Sequence, residues 1–448
     1  INNPIIFLKT LFFLCKSKAY AKKFLSENII IDLKNIPYNQ SVVELINEYK
    51  ENDYKIILTT GASKIHAEKI VQYLKIFDDF ISSDEKINNV RNTKLKLIKN
   101  RYDTKFTYIG SSLKDISIWK ECGKAIIVGK KKTVEKKLRA INVNIIQVLD
   151  DKNKLGHNVL NQLRVYQWSK NFLLFIPSIS SHKIFEPNYD YINSLYGFFS
   201  FSLAASSIYI LNDIIDLQND REHPQKAIRP LASGQISTFF GLILFIIFFS
   251  SSLMTSLLIG IDFFTIIIVY FFLNLIYSKY IKKLIVIDVI LLTLFYVIRI
   301  IAGHFMDNII FSSWLFSFST CLFLSLVLLK RYSELIFLKK KNLSLDTGKG
   351  YASEDASIIQ TVGISSGLIS ALLLILYSRS EQAQTLYQTP IILAALAPSI
   401  ILWISRIWLR AKRGEINIDP VLYLLRDRYL YYIILYFLIV FYFSRISY

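Results

Sequence analysis

From about Leu163 onward the chain is a succession of apolar runs, such as Gly241–Met254 and Phe263–Leu275, separated by short polar connections. No other feature restricts the fold as strongly. A run of ~20 apolar residues matches a ~30 Å hydrocarbon core, and a soluble protein of 448 residues would not repeat it so often. A mean hydropathy of +0.37 agrees. This part is expected to be an all-α integral membrane bundle of nine transmembrane helices, at about Phe172–Ile184, Ser194–Leu211, Phe239–Leu258, Phe263–Tyr277, Leu284–Gly303, Trp314–Leu329, Ile358–Tyr377, Ile391–Trp408 and Tyr429–Phe443. Pro177 and serines interrupt the first.

The connections alternate in charge. Arg221, Lys226 and Arg229 join spans two and three; Lys279, Lys282 and Lys283 join four and five. Lys330, Arg331 and Lys339–Lys341 join six and seven, and Arg410, Lys412, Arg413, Arg426 and Arg428 join eight and nine. The intervening connections carry few cations. By the positive-inside rule the basic loops and the front of the chain are cytoplasmic, in a bacterial-type inner or plasma membrane, and the C-terminus lies outside. The net charge of +19 is therefore a topology signal. With no basic tail and no recognisable binding motif, nucleic acid is excluded as a partner. Cys15, Cys122 and Cys321 have no paired spacing and imply neither disulfides nor zinc.

The first 150 residues differ, being rich in Lys, Asn, Asp and Glu with apolar runs of strand length. Two domains are expected, one soluble over 1–150 and one embedded over 157–448. No cleavable signal peptide is read before the soluble part.

The most chemically loaded stretch is NDIIDLQNDREHPQKAIRPLASG, at the mouth of the second span. On one helix of ~100° per residue, Asn212, Asp213, Asp216 and Asp220 fall within an arc of about 100° over roughly 12 Å. Crowded like charges cost energy unless a cation neutralises them. Oxygen ligands in this arrangement suit Mg²⁺, which bridges carboxylates to substrate phosphates. Asn212, Asp213, Asp216 and Asp220 are the candidate metal ligands, and the three aspartates the candidate catalytic residues. His223, Lys226 and Arg229 follow closely and are candidate phosphate contacts.

Further polar residues sit on the same side. Arg164, Gln167, Trp168, Lys170 and Asn171 precede the first span; Trp168 and Tyr166 are either interfacial anchors or part of the site, and Lys170 and Asn171 are candidate substrate contacts. Asp288 lies roughly 7.5 Å along the fifth span from Lys283. A carboxylate at that depth is expected to extend the site or to pair with Lys282 or Lys283. Arg299, about 24 Å from Lys283, is expected near the outer surface, where it snorkels. After the sixth span come KRYSEL, with Lys330 and Arg331, then Gly348, Lys349, Gly350, Tyr351, Glu354 and Asp355. Lys330, Arg331, Tyr351 and Asp288 complete the candidate substrate-binding set, and two polar clusters over one bundle suggest a phosphate-binding mouth above a lipid-lined cavity.

At these residues the chain resembles the UbiA prenyltransferase superfamily: nine helices, an NDxxDxxxD motif after helix two and a second polar motif after helix six. Asn212, Asp213, Asp216 and Asp220 match the first motif position for position. The second departs, because the DxxxD spacing of many members is replaced by Glu334, Asp346, Glu354 and Asp355 at other spacings. QWSKN, NDIIDLQNDREHPQKAIRP, YS…DV…IRIIAG and KRYSEL are most similar to the branch that transfers phosphoribose onto polyprenyl phosphate. The resemblance implies a 5-phosphoribosyl diphosphate donor, Mg²⁺ on the diphosphate and attack by the lipid phosphate. The same-family alternative moves a polyprenyl group from its diphosphate to an aromatic acceptor such as 4-hydroxybenzoate. A transporter would also use nine helices, but no inverted repeat is visible.

The front domain alternates strands and helices through KIILTTG, His66–Leu74, FTYIGSS, Ile116–Cys122 and KAIIVG, the rhythm of a parallel, Rossmann-like α/β sheet. It resembles the haloacid dehalogenase family. Thr60 at a strand end, Lys94 opening a helix and Asp115 in GSSLKD would match the family's phosphate- and Mg²⁺-binding positions. Ser111 replaces an acidic residue, and Asp32 is followed by Lys34 where a DxD nucleophile would need Asp. A degenerate or truncated phosphatase-like domain is expected, its nucleophile strand upstream of Ile1.

Overall fold

The computed structural model describes residues 6, 9–10, 12–13, 17–29, 32–84, 88–102, 105–129, 132–149, 155–223, 225–340, 350–416 and 427–444. The chain divides into two compact units, Ile1–Asn161 with Asp216–Ser237, and Gln162–Ile215 with Thr238–Tyr448.

In the first unit, short runs of β-branched and aromatic residues form five strands: β1 (Ile57–Ser63), β2 (Asp79–Ser83), β3 (Thr107–Gly110), β4 (Lys124–Val128) and β5 (Ile145–Leu149). All described pairings are parallel, as helical crossovers require. They form two sheets, β1–β2 and β3–β4–β5. The registers set Ile57 against Asp79 and Thr107 against Lys124. Ile81, Ile98, Tyr108, Ile118, Trp119, Ala125, Ile127 and Leu138 share one core. The turn Arg229–Ser237 belongs to this unit, with Gly234 in a left-handed conformation (φ +76°) against Pro37.

The second unit is helical: α1 (Tyr191–Ile215), α2 (Thr238–Ile259), α3 (Ile261–Lys279), α4 (Ile287–Met306), α5 (Ser313–Lys340), α6 (Ala356–Tyr377), α7 (Leu396–Lys412) and α8 (Arg428–Ser444). Among the described residues seven helices are long and apolar enough to cross a membrane, α7 together with the 3₁₀ turn Pro390–Ala395 that leads into it; α8, at 17 residues, is apolar but shorter. The first expected span is not one helix. Residues Val165–Phe175 form a 3₁₀ segment and Ile176–Ser180 one α-turn, with Pro177 near the start where its missing N–H costs nothing.

Small residues let the helices approach. Ser200 and Ser252 exchange hydroxyl-to-carbonyl bonds of 2.9 and 2.7 Å between α1 and α2. Gly303 on α4 faces the Leu174 carbonyl so closely that a Cβ would not fit. The most buried spans are α1 (56%) and α4 (67%), and these carry the polar residues described next.

Candidate active site

Asn212 and Asp213 close α1, but the helix stops at Ile215. Asp216 leaves helical geometry (φ −88°, ψ 12°) and a separate short helix, Leu217–Glu222, carries Asp220. The expected single arc of carboxylates is therefore corrected. Among the described residues no three His, Cys, Asp or Glu side chains gather as a metal-binding group.

Asp213 is 4% exposed, and both its oxygens are bonded. Arg164 Nη2 donates to Oδ1 at 2.6 Å and Gln162 Nε2 to Oδ2 at 2.8 Å. Arg164 adopts a left-handed backbone (φ 51°), and its guanidinium lies 4.8 Å from the Tyr209 ring. Burial alone would lower its pKa; Asp213, with Tyr209 and Tyr166, raises it above the ordinary value. Further along, Trp168 Nε1 donates to Ser206 Oγ at 3.0 Å and Asn171 Nδ2 to Ser202 Oγ at 2.8 Å. Ser202, Ser206, Tyr209 and Asp213 recur at three- and four-residue intervals, so residues 162–171 are fastened along one face of α1. The Trp168 indole N–H is thus engaged by α1.

In the Asp216–Ser237 stretch, Asp220 is 2% exposed. It accepts from Arg229 Nη1 at 2.6 Å and stands 3.7 Å from Lys226 Nζ. His223 Nδ1 accepts from the Gln225 amide at 3.2 Å. Two of the three expected phosphate contacts are thus paired with a motif carboxylate.

Asp288 is fully buried, and its partners are not Lys282 or Lys283. Arg331 Nε donates to Oδ2 at 2.8 Å and the Tyr351 hydroxyl to Oδ1 at 2.6 Å. Arg331 also reaches Glu334 at 2.9 Å, and the Tyr351 oxygen accepts from the Val286 amide at 2.9 Å. Burial, then the bond to Asp288, raises the Tyr351 pKa. Asp288, Arg331 and Tyr351, the residues expected to touch substrate, bind one another. Lys330 is half-buried beside them. Asp355 accepts from the Ala352 amide at 2.8 Å in a local cap; Asp346, Gly348 and Lys349 lie outside the described residues.

The expectation for Arg299 is wrong. It is 4% exposed inside the bundle, not snorkelling at a surface. Nε donates to Asn171 Oδ1 at 2.9 Å, Nη2 to Tyr270 Oη at 3.0 Å and Nη1 to the Phe295 carbonyl, with the Phe201 ring 5.0 Å away. Asn171, expected at the phosphate, has both polar atoms taken by Ser202 and Arg299. Adjacent Lys170 places Nζ 5.8 Å from the Tyr296 ring. The cue available in sequence was cost: an arginine in a span demands partners.

In the front unit Lys94 Nζ donates to Tyr108 Oη at 2.7 Å and stands 3.8 Å from Asp115. Burial lowers its pKa, and Asp115 partly offsets that. Thr60 lies inside β1 rather than at its end, and its hydroxyl accepts from the Ala62 amide at 3.1 Å.

At the end of α1, Asn212 and Asp213 offer hard oxygen donors of the kind Mg²⁺ takes, and Asn212 Oδ1 is buried with no hydrogen-bond partner among the described residues. At the other end of the helical unit His304, Phe311, Trp314, Leu374, Tyr387 and Phe441 help line an apolar cavity of about 630 Å³.

Long apolar helices with charged groups buried between them define an integral membrane protein. Residues 185–417 match the UbiA prenyltransferase family, and the chain belongs to that family; it is a prenyltransferase-like transferase. It is 30% identical over 428 residues to Uncharacterized protein y4nM of Sinorhizobium fredii, covering 95% of this chain and 83% of the relative. It is 31% identical over 181 residues to Decaprenyl-phosphate phosphoribosyltransferase of Mycobacterium tuberculosis, covering 40% of this chain and 60% of that protein. A UbiA homolog from Archaeoglobus fulgidus bound to DMAPP and Mg²⁺ aligns over 63% of this chain and 98% of its own, at 20% identity and a TM-score of 0.48.

Proposed function

We propose that the chain transfers 5-phosphoribose from phosphoribosyl diphosphate to a polyprenyl phosphate, with its motif on the cytoplasmic side of the membrane. The observation that carries this reading is the pairing of motif carboxylates with cations: Asp213 with Arg164, and Asp220 with Arg229 and Lys226. Each pair holds the two charges that a metal–diphosphate substrate needs, a carboxylate for the metal and a cation for the phosphate. The likeness to a decaprenyl-phosphate phosphoribosyltransferase supports the choice of donor.

Asn212, Asp213, Asp216 and Asp220 would hold Mg²⁺, which when bound neutralises the diphosphate leaving group. Lys170, His223, Lys226, Arg229 and Lys330 would contact phosphates. Arg331, Asp288 and Tyr351 set the shape of the α4 and α5 ends beside Lys330. A lipid phosphate oxygen attacks the anomeric carbon as the bond to diphosphate breaks. The apolar cavity accepts part of the polyprenyl chain.

Residues 1–150 are read as a degenerate haloacid dehalogenase-like domain, on the strength of its parallel strands and the Lys94–Asp115 pair, ahead of a transferase domain over 157–448. Incubating purified protein with labelled phosphoribosyl diphosphate and polyprenyl phosphate tests the main reading. Label transferred instead from prenyl diphosphate to 4-hydroxybenzoate would replace it with aromatic prenylation.

A further inference from the structure

Arg164 and Gln162 cap both oxygens of Asp213, at 2.6 and 2.8 Å, and both belong to the segment fastened along α1. We infer that this segment is a strap whose lower fastening competes with the divalent cation: Arg164 leaves Asp213 when the metal arrives and becomes a counter-ion for the substrate's phosphate. The inference rests on the reading of Asp213 as a metal ligand.

Three observations support it. Mg²⁺ and a guanidinium seek the same carboxylate lone pairs, and two cations about 4 Å apart repel strongly in a partly buried site. Arg164 is held in a left-handed conformation that a non-glycine residue adopts only when its surroundings impose it. Gln162 is 1% exposed, yet its Oε1 has no hydrogen-bond partner among the described residues while Nε2 bonds Asp213, and Asn212 Oδ1 is likewise unpartnered. Two buried acceptor oxygens on residues that bond or adjoin Asp213 thus lack donors among the described residues, which suits a cation there better than a guanidinium bonded to Asp213 Oδ1. The upper fastenings, Trp168 to Ser206 and Asn171 to Ser202, involve no charge on α1 and hold the strap when the lower one opens.

The test uses full-length protein in detergent, with Mn²⁺ as a spectroscopically visible probe and no substrate. Wild type, Arg164→Gln, Arg164→Lys and Asp213→Asn are titrated, and hydrogen exchange over residues 162–171 is followed with and without Mn²⁺. Arg164→Gln should bind Mn²⁺ about ten-fold tighter than wild type. Arg164→Lys should stay near wild type, and Mn²⁺ should speed exchange at the lower end of the strap in wild type. If Asp213→Asn loses Mn²⁺ while Arg164→Gln leaves affinity and exchange unchanged, the exchange of counter-ions is overturned and the metal reading stands. If Asp213→Asn binds Mn²⁺ as wild type does, the metal reading fails at Asp213 and takes the inference with it. Should Arg164→Gln prove unstable, the wild-type exchange measurement decides alone.

Discussion

Asp288 and Arg331 meet as a buried ion pair in which guanidinium Nε and Nη2 both stand 2.8 Å from Oδ2. Removing one partner of such a pair strands the other charge. Asp288→Ala is expected to cost about 3–5 kcal/mol of stability, measured as thermal unfolding in detergent. Asp288→Leu combined with Arg331→Met should recover most of that loss. A purely substrate-binding Asp288 would leave unfolding unchanged in the single variant.

Arg299 serves three acceptors in fixed directions, Asn171, Tyr270 and the Phe295 carbonyl. A lysine cannot reproduce that fork. Arg299→Lys should destabilise by about 1–3 kcal/mol, and Asn171→Ala should be non-additive with it in a double-mutant cycle. Additive effects would show that the two do not act together.

In the front unit Tyr102 donates a short hydrogen bond to Asp79, which also meets Arg101 at 3.2 Å. Burial and then Asp79 push the Tyr102 phenol from 10.0 up to about 12. Burial alone would raise Asp79, but the bond from Tyr102 and the neighbouring cations bring it below its ordinary value. A raised phenol contributes stability that is complete below pH 10.0 and is lost as pH rises toward about 12. The depressed carboxyl contributes stability present above 3.8 and lost on further acidification. Tyr102→Phe should flatten the alkaline limb of a stability–pH curve; an unchanged limb would contradict the pairing.

Lys330 sits one residue before Arg331, whose bonds to Asp288 and Glu334 fix this end of α5. As a phosphate contact, Lys330→Gln should raise the donor KM by about ten-fold, the loss of one charge-assisted bond, while unfolding stays as in wild type. Equal KM values would remove Lys330 from the site.

Much of this was legible in the sequence because it is local. Apolar runs of span length place the helices, and the nearness of Lys226 and Arg229 to Asp220 in sequence foreshadows the ion pairs they form. What was not legible is non-local. Nothing near Asp288 in sequence points to Arg331 or Tyr351, and the lysines beside it are not its partners. Arg299 looked peripheral by depth alone, whereas its partners come from α3 and the pre-span segment. The break at Asp216 ends the arc that a continuous helix would have drawn. The first expected span is instead a 3₁₀ segment, Val165–Phe175, and one α-turn, Ile176–Ser180.

The most direct measurement is label transfer in purified protein: radiolabelled phosphoribosyl diphosphate, decaprenyl phosphate and Mg²⁺, with Asp216→Asn and a chelator as controls. Label should move into the lipid fraction with release of one diphosphate per turnover, and both controls should abolish it. Transfer that persists in Asp216→Asn or in chelator, or a lipid fraction that stays unlabelled while prenyl diphosphate and 4-hydroxybenzoate give product, would contradict the account.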